Sequence, residues 1–310
     1  MSHSHPDRFL VRPAAIRHVG LLAAISGLLV AVPGQAVAED ALDRIQARGS
    51  VIIGHRETSV PLSYIADGKP VGYAVEICQK LAAAIAHHLG AKNMKTEYKA
   101  VTSSNRFDAV EKGEIDMECG STTNTAARRQ RVAFTIPHFI ASSRLMVLSS
   151  RSYEMLEDLN KTTVASTSGT TNIKALEKAA QLKSVDIKIE LAKDHAEAVS
   201  WVLDGKVTAF AMDDVLLYGL RATSPKPGDL KIIGKSMTVE PYAIGFQKDN
   251  PILKKVIDNE MRRMIAAKEV QQLYDKWFLQ PIPPKGINLG MKMPALFASS
   301  LRYPTDYVPD

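Results

Sequence analysis

Strand-like and helix-like patterns alternate along this chain from Ser50 to Phe278, and few folds accommodate that order. Ser50–His55 reads as a buried strand, and Ala74–Leu89 carries apolar residues at helical spacing. Strand Lys95–Val101, helix Asn105–Lys112 and strand Ile115–Cys119 continue the series. After an apolar stretch at Leu145–Leu148, a second series begins with strand Thr162–Ala165, helix Thr170–Leu182 and strand Val185–Leu191. Helix His195–Leu203, strand Val207–Met212 and helix Asp214–Leu220 follow. A strand at Tyr242–Gln247 and two helical stretches between Pro251 and Phe278 end the pattern, and a helix around Asp40–Ala47 precedes it. This order predicts an α/β protein with parallel sheets flanked by helices.

The two series share a finer feature. Gly113 ends a helix, a strand follows, and Ser121 lies eight residues on; Gly205 and Asp213 repeat that spacing. Each unit therefore puts a polar group at the carboxyl end of a strand, where α/β sheets bind ligands. The chain has 310 residues, and even without its first 38 it suits two lobes with a cleft between them better than one core. The stretch from Pro281 to Asp310 is Pro-rich at its start and weakly patterned afterwards, so irregular structure or short helices on the surface are expected.

Residues 1–38 read as an export signal rather than as part of the fold. Arg8, Arg12 and Arg17 precede an apolar run from Val19 to Val32, Pro33-Gly34 breaks it, and Ala36-Val37-Ala38 supplies small residues for cleavage near Ala38. The run is shorter than a membrane span needs, which places the mature protein outside the cytoplasm. The formal net charge of +6 is spread along the chain without a clustered patch, so no nucleic-acid partner is expected. An oxidising compartment permits a bridge between the two cysteines, Cys78 and Cys119. Cys78 falls in an amphipathic helix and Cys119 at a strand end, however, and two buried free thiols are the expectation. No cysteine–histidine cluster has zinc spacing, and the adjacent His87 and His88 cannot form an i, i+4 pair, so neither a metal nor a cofactor is expected.

The chemistry concentrates where strands end. Glu118-Cys119-Gly120-Ser121-Thr122-Thr123 runs from a strand into hydroxyl residues at a helix start, with Arg128 one turn further on. Unpaired N–H groups, the positive helix end and a guanidinium fork all favour a small carboxylate. The same letters also describe an ordinary N-cap with a solvated arginine. Five other strand ends keep it company: Gly54-His55-Arg56-Glu57, Thr102-Ser103-Ser104-Asn105-Arg106, Thr167-Ser168-Gly169-Thr170-Thr171, Lys193-Asp194-His195 and Met212-Asp213-Asp214. A zwitterion needs one cation and one anion, which Arg128 and Asp213 supply. An acidic side chain needs further positive charge, which Arg56 and Arg106 supply.

The ordered set GHRE, TSSNR, ECGSTT, TSGTT, KDH, MDD, DKWF and PIPPK resembles the periplasmic glutamate/aspartate-binding proteins of bacterial ABC amino-acid importers, within solute-binding protein family 3. The resemblance covers the chain from about Leu42 to Pro284 and implies a two-lobed type II periplasmic-binding-protein fold. Lobe 1 would comprise residues 39–141 and 240–310, and lobe 2 residues 142–239, with crossings near Ala141–Leu145 and Val239–Ile244. It implies that Arg128 holds the α-carboxylate with Ser121, Thr123 and Thr171, and that Asp213 pairs with the α-ammonium, to which Ser121 is the other candidate contact. Arg56, Ser103, Arg106 and His195 would surround the side-chain carboxylate; the protonation of His195 stays open. The implied partners are L-glutamate or L-aspartate and a membrane permease, with the protein a periplasmic monomer. A rival of another class is an enzyme on the same fold, such as a periplasmic dehydratase, for which only His195 and Glu118 offer a general acid or base, and a third reading is a ligand-sensing module that uses the same pocket to signal to a receptor.

Overall fold

A computed structural model describes residues 40–308, and the export signal expected at residues 1–38 lies outside the described residues. The chain opens with α1 (Ala41–Arg48), β1 (Ser50–His55), β2 (Thr58–Ser59), β3 (Ser63–Ala66), β4 (Lys69–Val71) and α2 (Tyr73–His88). It continues through β5 (Lys95–Ala100), α3 (Arg106–Glu111), β6 (Met117–Cys119), α4 (Ala126–Arg129), β7 (Val132–Phe134) and β8 (Phe139–Ala141). Then come β9 (Ser143–Leu148), β10 (Thr162–Thr167), α5 (Asn172–Lys183), β11 (Ile187–Ala192), α6 (His195–Leu203), β12 (Ala209–Asp213) and α7 (Asp214–Thr223). The last elements are β13 (Leu230–Ile233), β14 (Glu240–Tyr242), β15 (Gly245–Gln247), α8 (Pro251–Ala266), α9 (Glu269–Phe278) and α10 (Ala295–Ser300).

Two five-stranded sheets carry the architecture, in the orders β5-β1-β6-β15-β7 and β11-β10-β12-β9-β13. The strands of the alternating pattern are parallel, β1 to β5 and β6, and β10 to β11 and β12. The sheets as wholes are mixed, which corrects the expectation of parallel sheets. Strand β15 runs antiparallel to β6 and β7, and β9 antiparallel to β12 and β13. These strands have no crossover helix before them, so nothing forces the parallel sense. Between the sheets, β8 and β14 pair antiparallel, Ala141 opposite Glu240 and Phe139 opposite Tyr242. The chain leaves the first sheet through β8 and returns through β14.

Helix α2 shows how the core is made. Tyr73, Ala74, Ile77, Cys78, Leu81, Ala82 and Ile85 lie on one face and are buried, while Gln79, His87 and His88 are on the outside. Each large apolar side chain so buried contributes about 1.5–3 kcal/mol. Cys78 points from this face at the end of β6 and forms a disulfide with Cys119, with a Cα–Cα distance of 6.2 Å. The expectation of free thiols is therefore corrected: helical spacing told that Cys78 is buried, but not that it lies over the one strand that carries the other cysteine. Closing a loop of this length restricts the unfolded chain by about 4 kcal/mol in the entropic account. The C-terminal stretch does contain a short helix, α10, but its Phe297 enters the core against Phe139 and Tyr274 instead of lying on the surface.

The two sheets' elements approach closely at two glycines. A Cβ on Gly219 of α7 would come within 2.2 Å of the Val60 carbonyl oxygen, and one on Gly169 within 2.5 Å of the Ser103 carbonyl oxygen. Gly169 also has φ +78°, which disfavours any side chain.

Candidate functional site

Ser103, Arg106, Ser121, Thr123, Arg128, Thr171, His195 and Asp213 line one cleft together with Thr170, Met212 and Leu216. Eight of the nine residues singled out in the sequence thus converge, across segments that belong to both sheets. The ninth, Arg56, does not line the cleft. It stands behind Ser103, donating to its Oγ at 2.5 Å, and is buried. The cavity between these side chains is about 10 Å³, room for about one water, so the cleft walls stand nearly in contact.

The first wall is cationic. Arg128 donates to the Thr123 carbonyl at 2.8 Å and to the Gly169 carbonyl at 3.3 Å. Arg106 donates to the carbonyls of Ser103 and, at 3.2 Å, of Gly169. One carbonyl of the segment after β10 therefore receives two guanidinium groups from the facing segments. Phe107 lies under both, 4.7 Å from Arg106 and 5.4 Å from Arg128, measured from ring centroid to guanidinium carbon. Burial lowers the pKa of all three arginines, and the charge of Arg128 adds to the lowering at Arg106. That direction is the electrostatic cost of holding three like charges in a dry place.

His195 opens α6, behind Asp194, whose carboxylate caps the helix by accepting from the Glu197 N–H at 2.9 Å. Its Nδ1 contacts Thr167 Oγ1 at 2.8 Å, whereas its buried Nε2 has no hydrogen-bond partner. Burial, and after it the charges of Arg56 and Arg106, hold the ring well below its ordinary pKa. Both causes disfavour the imidazolium in the ligand-free cleft.

The opposite end is anionic. Asp213 accepts from Asn172 Nδ2 at 3.1 Å and from the Tyr242 hydroxyl. Its pKa is pushed up to about 7, first by burial and next by the charge of Glu240. Glu240 itself accepts from Thr123 Oγ1 at 2.6 Å and from Thr171 Oγ1 at 2.9 Å. Ser121 Oγ turns away from this group to Ser59 Oγ at 3.3 Å.

Sequence reasoning missed Glu240, Tyr242 and Asn172, and it weighed Glu118 only as a rival's acid. Glu118 is fully buried with both carboxylate oxygens lacking hydrogen-bond partners, and its charge acts on Arg56. Glu240 and Tyr242 belong to the β14 ladder, away from any strand-to-helix junction, so the signal that found the others was silent there. The anionic count grows accordingly. Against Arg56, Arg106 and Arg128 stand Glu118, Asp213 and Glu240, so the charges balance when all are ionised, where the sequence implied a cationic excess, and proton uptake by Asp213 near pH 7 restores an excess of one. Among the described residues no metal-ligating cluster and no helix long and apolar enough to cross a membrane occur.

The chain is similar to known proteins over most of its length. Residues 51–280 fit the family model of bacterial extracellular solute-binding proteins, family 3. The chain is 37% identical over 267 residues to an L-glutamate/L-aspartate-binding protein of Pseudomonas aeruginosa, covering 86% of this chain and 88% of that one. It is 33% identical to a glutamate/aspartate import solute-binding protein of Escherichia coli, covering 92% and 95%. Among solved structures, an ancestral arginine-binding protein bound to glutamine aligns with TM-score 0.64 at 29% identity, covering 74% and 98%. The solute receptor for L-cysteine of Neisseria gonorrhoeae aligns with TM-score 0.66 at 25% identity, covering 77% and 93%. The fold is that of the type II periplasmic amino-acid-binding proteins, and the chain belongs to the bacterial extracellular solute-binding proteins of family 3.

Proposed function

We propose that this protein captures one molecule of L-glutamate or L-aspartate in the cleft and delivers it, as a periplasmic monomer, to the permease of an ABC importer. The observation that carries the reading is the convergence of Arg106 and Arg128 on a small cleft where neither has a carboxylate ion partner. Arg128 takes the α-carboxylate and Asp213 the α-ammonium. Ser103, Arg106 and His195 surround the side-chain carboxylate, with Arg56 acting through Ser103. Ser121, Thr123 and Thr171 line the headgroup end. Lobes 39–141 with 240–310, and 142–239, close on the ligand, because only the closed form makes all these contacts. The names of the Pseudomonas and Escherichia relatives support the choice of acidic amino acids. Those relatives are transport proteins rather than enzymes, which removes the dehydratase rival.

Calorimetry on ligand-stripped protein tests the reading. L-Glutamate and L-aspartate are expected to bind, and L-glutamine and L-arginine to fail, because an amide or a cation leaves a buried arginine unmatched. Equal binding of all four would refute it.

A further inference from the structure

We infer that the C-terminal stretch is a strap that clamps the crossing strands β8 and β14 to the body of the first sheet. This role rests on the lobe closure proposed above and says which part of the crossing stays rigid. Phe139, on β8, stacks on Phe278 and Tyr274 of α9, with ring centroids 5.2 and 6.1 Å apart. Phe297 of α10 is fully buried and reaches the same cluster from the tail, 5.6 Å from Phe139 and 6.0 Å from Tyr274. Phe139 in turn lies 6.0 Å from Tyr242 on β14. One tail side chain thus joins α9 and both crossing strands in a single aromatic cluster, whose ring contacts attract beyond the burial of their area. The tail is fastened on either side of Phe297. Before it, Asn288 Nδ2 donates to the Leu279 carbonyl at 2.8 Å, and the Tyr274 hydroxyl to the Met291 carbonyl at 3.1 Å. After it, Lys254 and Arg262 of α8 donate to the Asp306 carboxylate at 2.8 Å and the Pro304 carbonyl at 3.0 Å.

The hydrogen bonds along the crossing mark where the two bodies part. The Asn124 N–H donates to the Pro241 carbonyl at 2.8 Å and the Ala243 N–H to the Thr122 carbonyl at 3.0 Å, so β14 is tied to the segment that follows β6. The His138 N–H joins β8 to the same body through the Tyr242 carbonyl at 2.8 Å. The next residues bind the other side. The Ser142 N–H and Oγ donate to the Asp214 carboxylate at 3.1 and 2.7 Å, and the Ser143 N–H to Thr238 Oγ1 at 3.1 Å. Partners therefore change between Ala141 and Ser142 on one crossing, and between Thr238 and Glu240 on the other. With the strands themselves clamped, bending falls to these few residues at the element ends, as hinges commonly do.

Amide hydrogen exchange on the ligand-free full chain tests the clamp. In wild type the hydrogen-bonded amides of β8 and β14 are expected to exchange within about threefold of those of β1, and much faster exchange there overturns the inference. Phe297→Ala is expected to speed the β8 and β14 amides about tenfold or more, while those of β10 and β11 stay within about threefold of wild type. Phe297→Leu keeps most of the buried volume but removes the ring. It is expected to speed the same amides by a smaller factor, and it decides the matter should the alanine variant not fold. Uniform acceleration across both sheets would make Phe297 an ordinary core residue and overturn the clamp, as would no acceleration at the crossing. No ligand enters the measurement, so failure of wild type to bind L-glutamate would refute the proposed ligand and leave the clamp standing.

Discussion

The arginines of this protein divide into two groups that obey opposite rules. On the surface, Arg131 is bound by Asp108 and Glu111, and Arg263 by Glu260 and Glu269. These side chains are 43% and 51% exposed. Water would solvate either one unaided, and the pairs contribute little. In the cleft region Arg56, Arg106 and Arg128 have lost most of their water, yet they hold only hydroxyl and carbonyl oxygens. Among the described residues none of the three is in an ion pair with a carboxylate. Charge is satisfied where it costs least to leave it alone and unsatisfied where it costs most. A protein keeps such an imbalance when a ligand completes it, as binding-site residues with strongly shifted pKa values commonly indicate.

The sharpest way to break this comparison is Arg128→Ala. Truncating one partner of a buried charged pair costs about 2–5 kcal/mol, so L-glutamate and L-aspartate affinities should both fall by that much in calorimetry. Unchanged affinity would put Arg128 with the surface group.

Asp213 offers a test through pH. Its carboxyl is raised from the ordinary range to about 7 in the folded protein, so the folded state binds a proton the unfolded chain releases near pH 4. A raised pKa means that its favourable contribution is complete below about pH 4 and is lost as pH rises through about 7. The ligand-free Asp213→Asn variant should therefore gain on wild type between those pH values, by an amount on the order of a few kcal/mol, read from denaturant unfolding. A gap that stays constant from pH 4 to 8 would refute the assignment. Binding acts in the opposite sense, because the ligand's ammonium favours ionised Asp213. Proton release on binding near pH 6.5, measured by calorimetry in buffers of different ionisation enthalpy, should accompany it.

Arg106→Ala should act more narrowly. It is expected to reduce the preference for L-glutamate over L-glutamine by about 1–3 kcal/mol while leaving binding of the shared headgroup. A preference that survives intact would remove Arg106 from the side-chain end. At the bottom of the scale, Arg131→Ala should change stability by no more than about 1 kcal/mol and ligand affinity by nothing measurable. A larger effect would erase the distinction between the two groups.

Legibility in the sequence followed the same division between local and distant causes. Strand β1 and helix α6 lie at the residues read from the pattern, because apolar periodicity is a local signal. Ser121, Arg128, His195 and Asp213 were found because strand ends are where α/β proteins place polar groups. The antiparallel sense of β15 was not legible, since nothing in Gly245-Phe246-Gln247 says which way its neighbours run. Nor was the small three-stranded sheet β2-β3-β4, whose strands are too short to carry a period.

Alternating strand and helix patterns, with polar residues at the strand ends, were sufficient to specify an α/β binding protein and most of the side chains around its cleft. They work because backbone geometry imposes periods of about 2 and 3.6 on any chain that buries one face. Three decisions belonged to the tertiary structure alone: the Cys78–Cys119 bond, the retreat of Arg56 behind Ser103, and the arrival of Glu240 between Thr123 and Thr171. Each joins residues at least forty positions apart, and such a distance is closed by packing whole elements against one another, which no local pattern encodes.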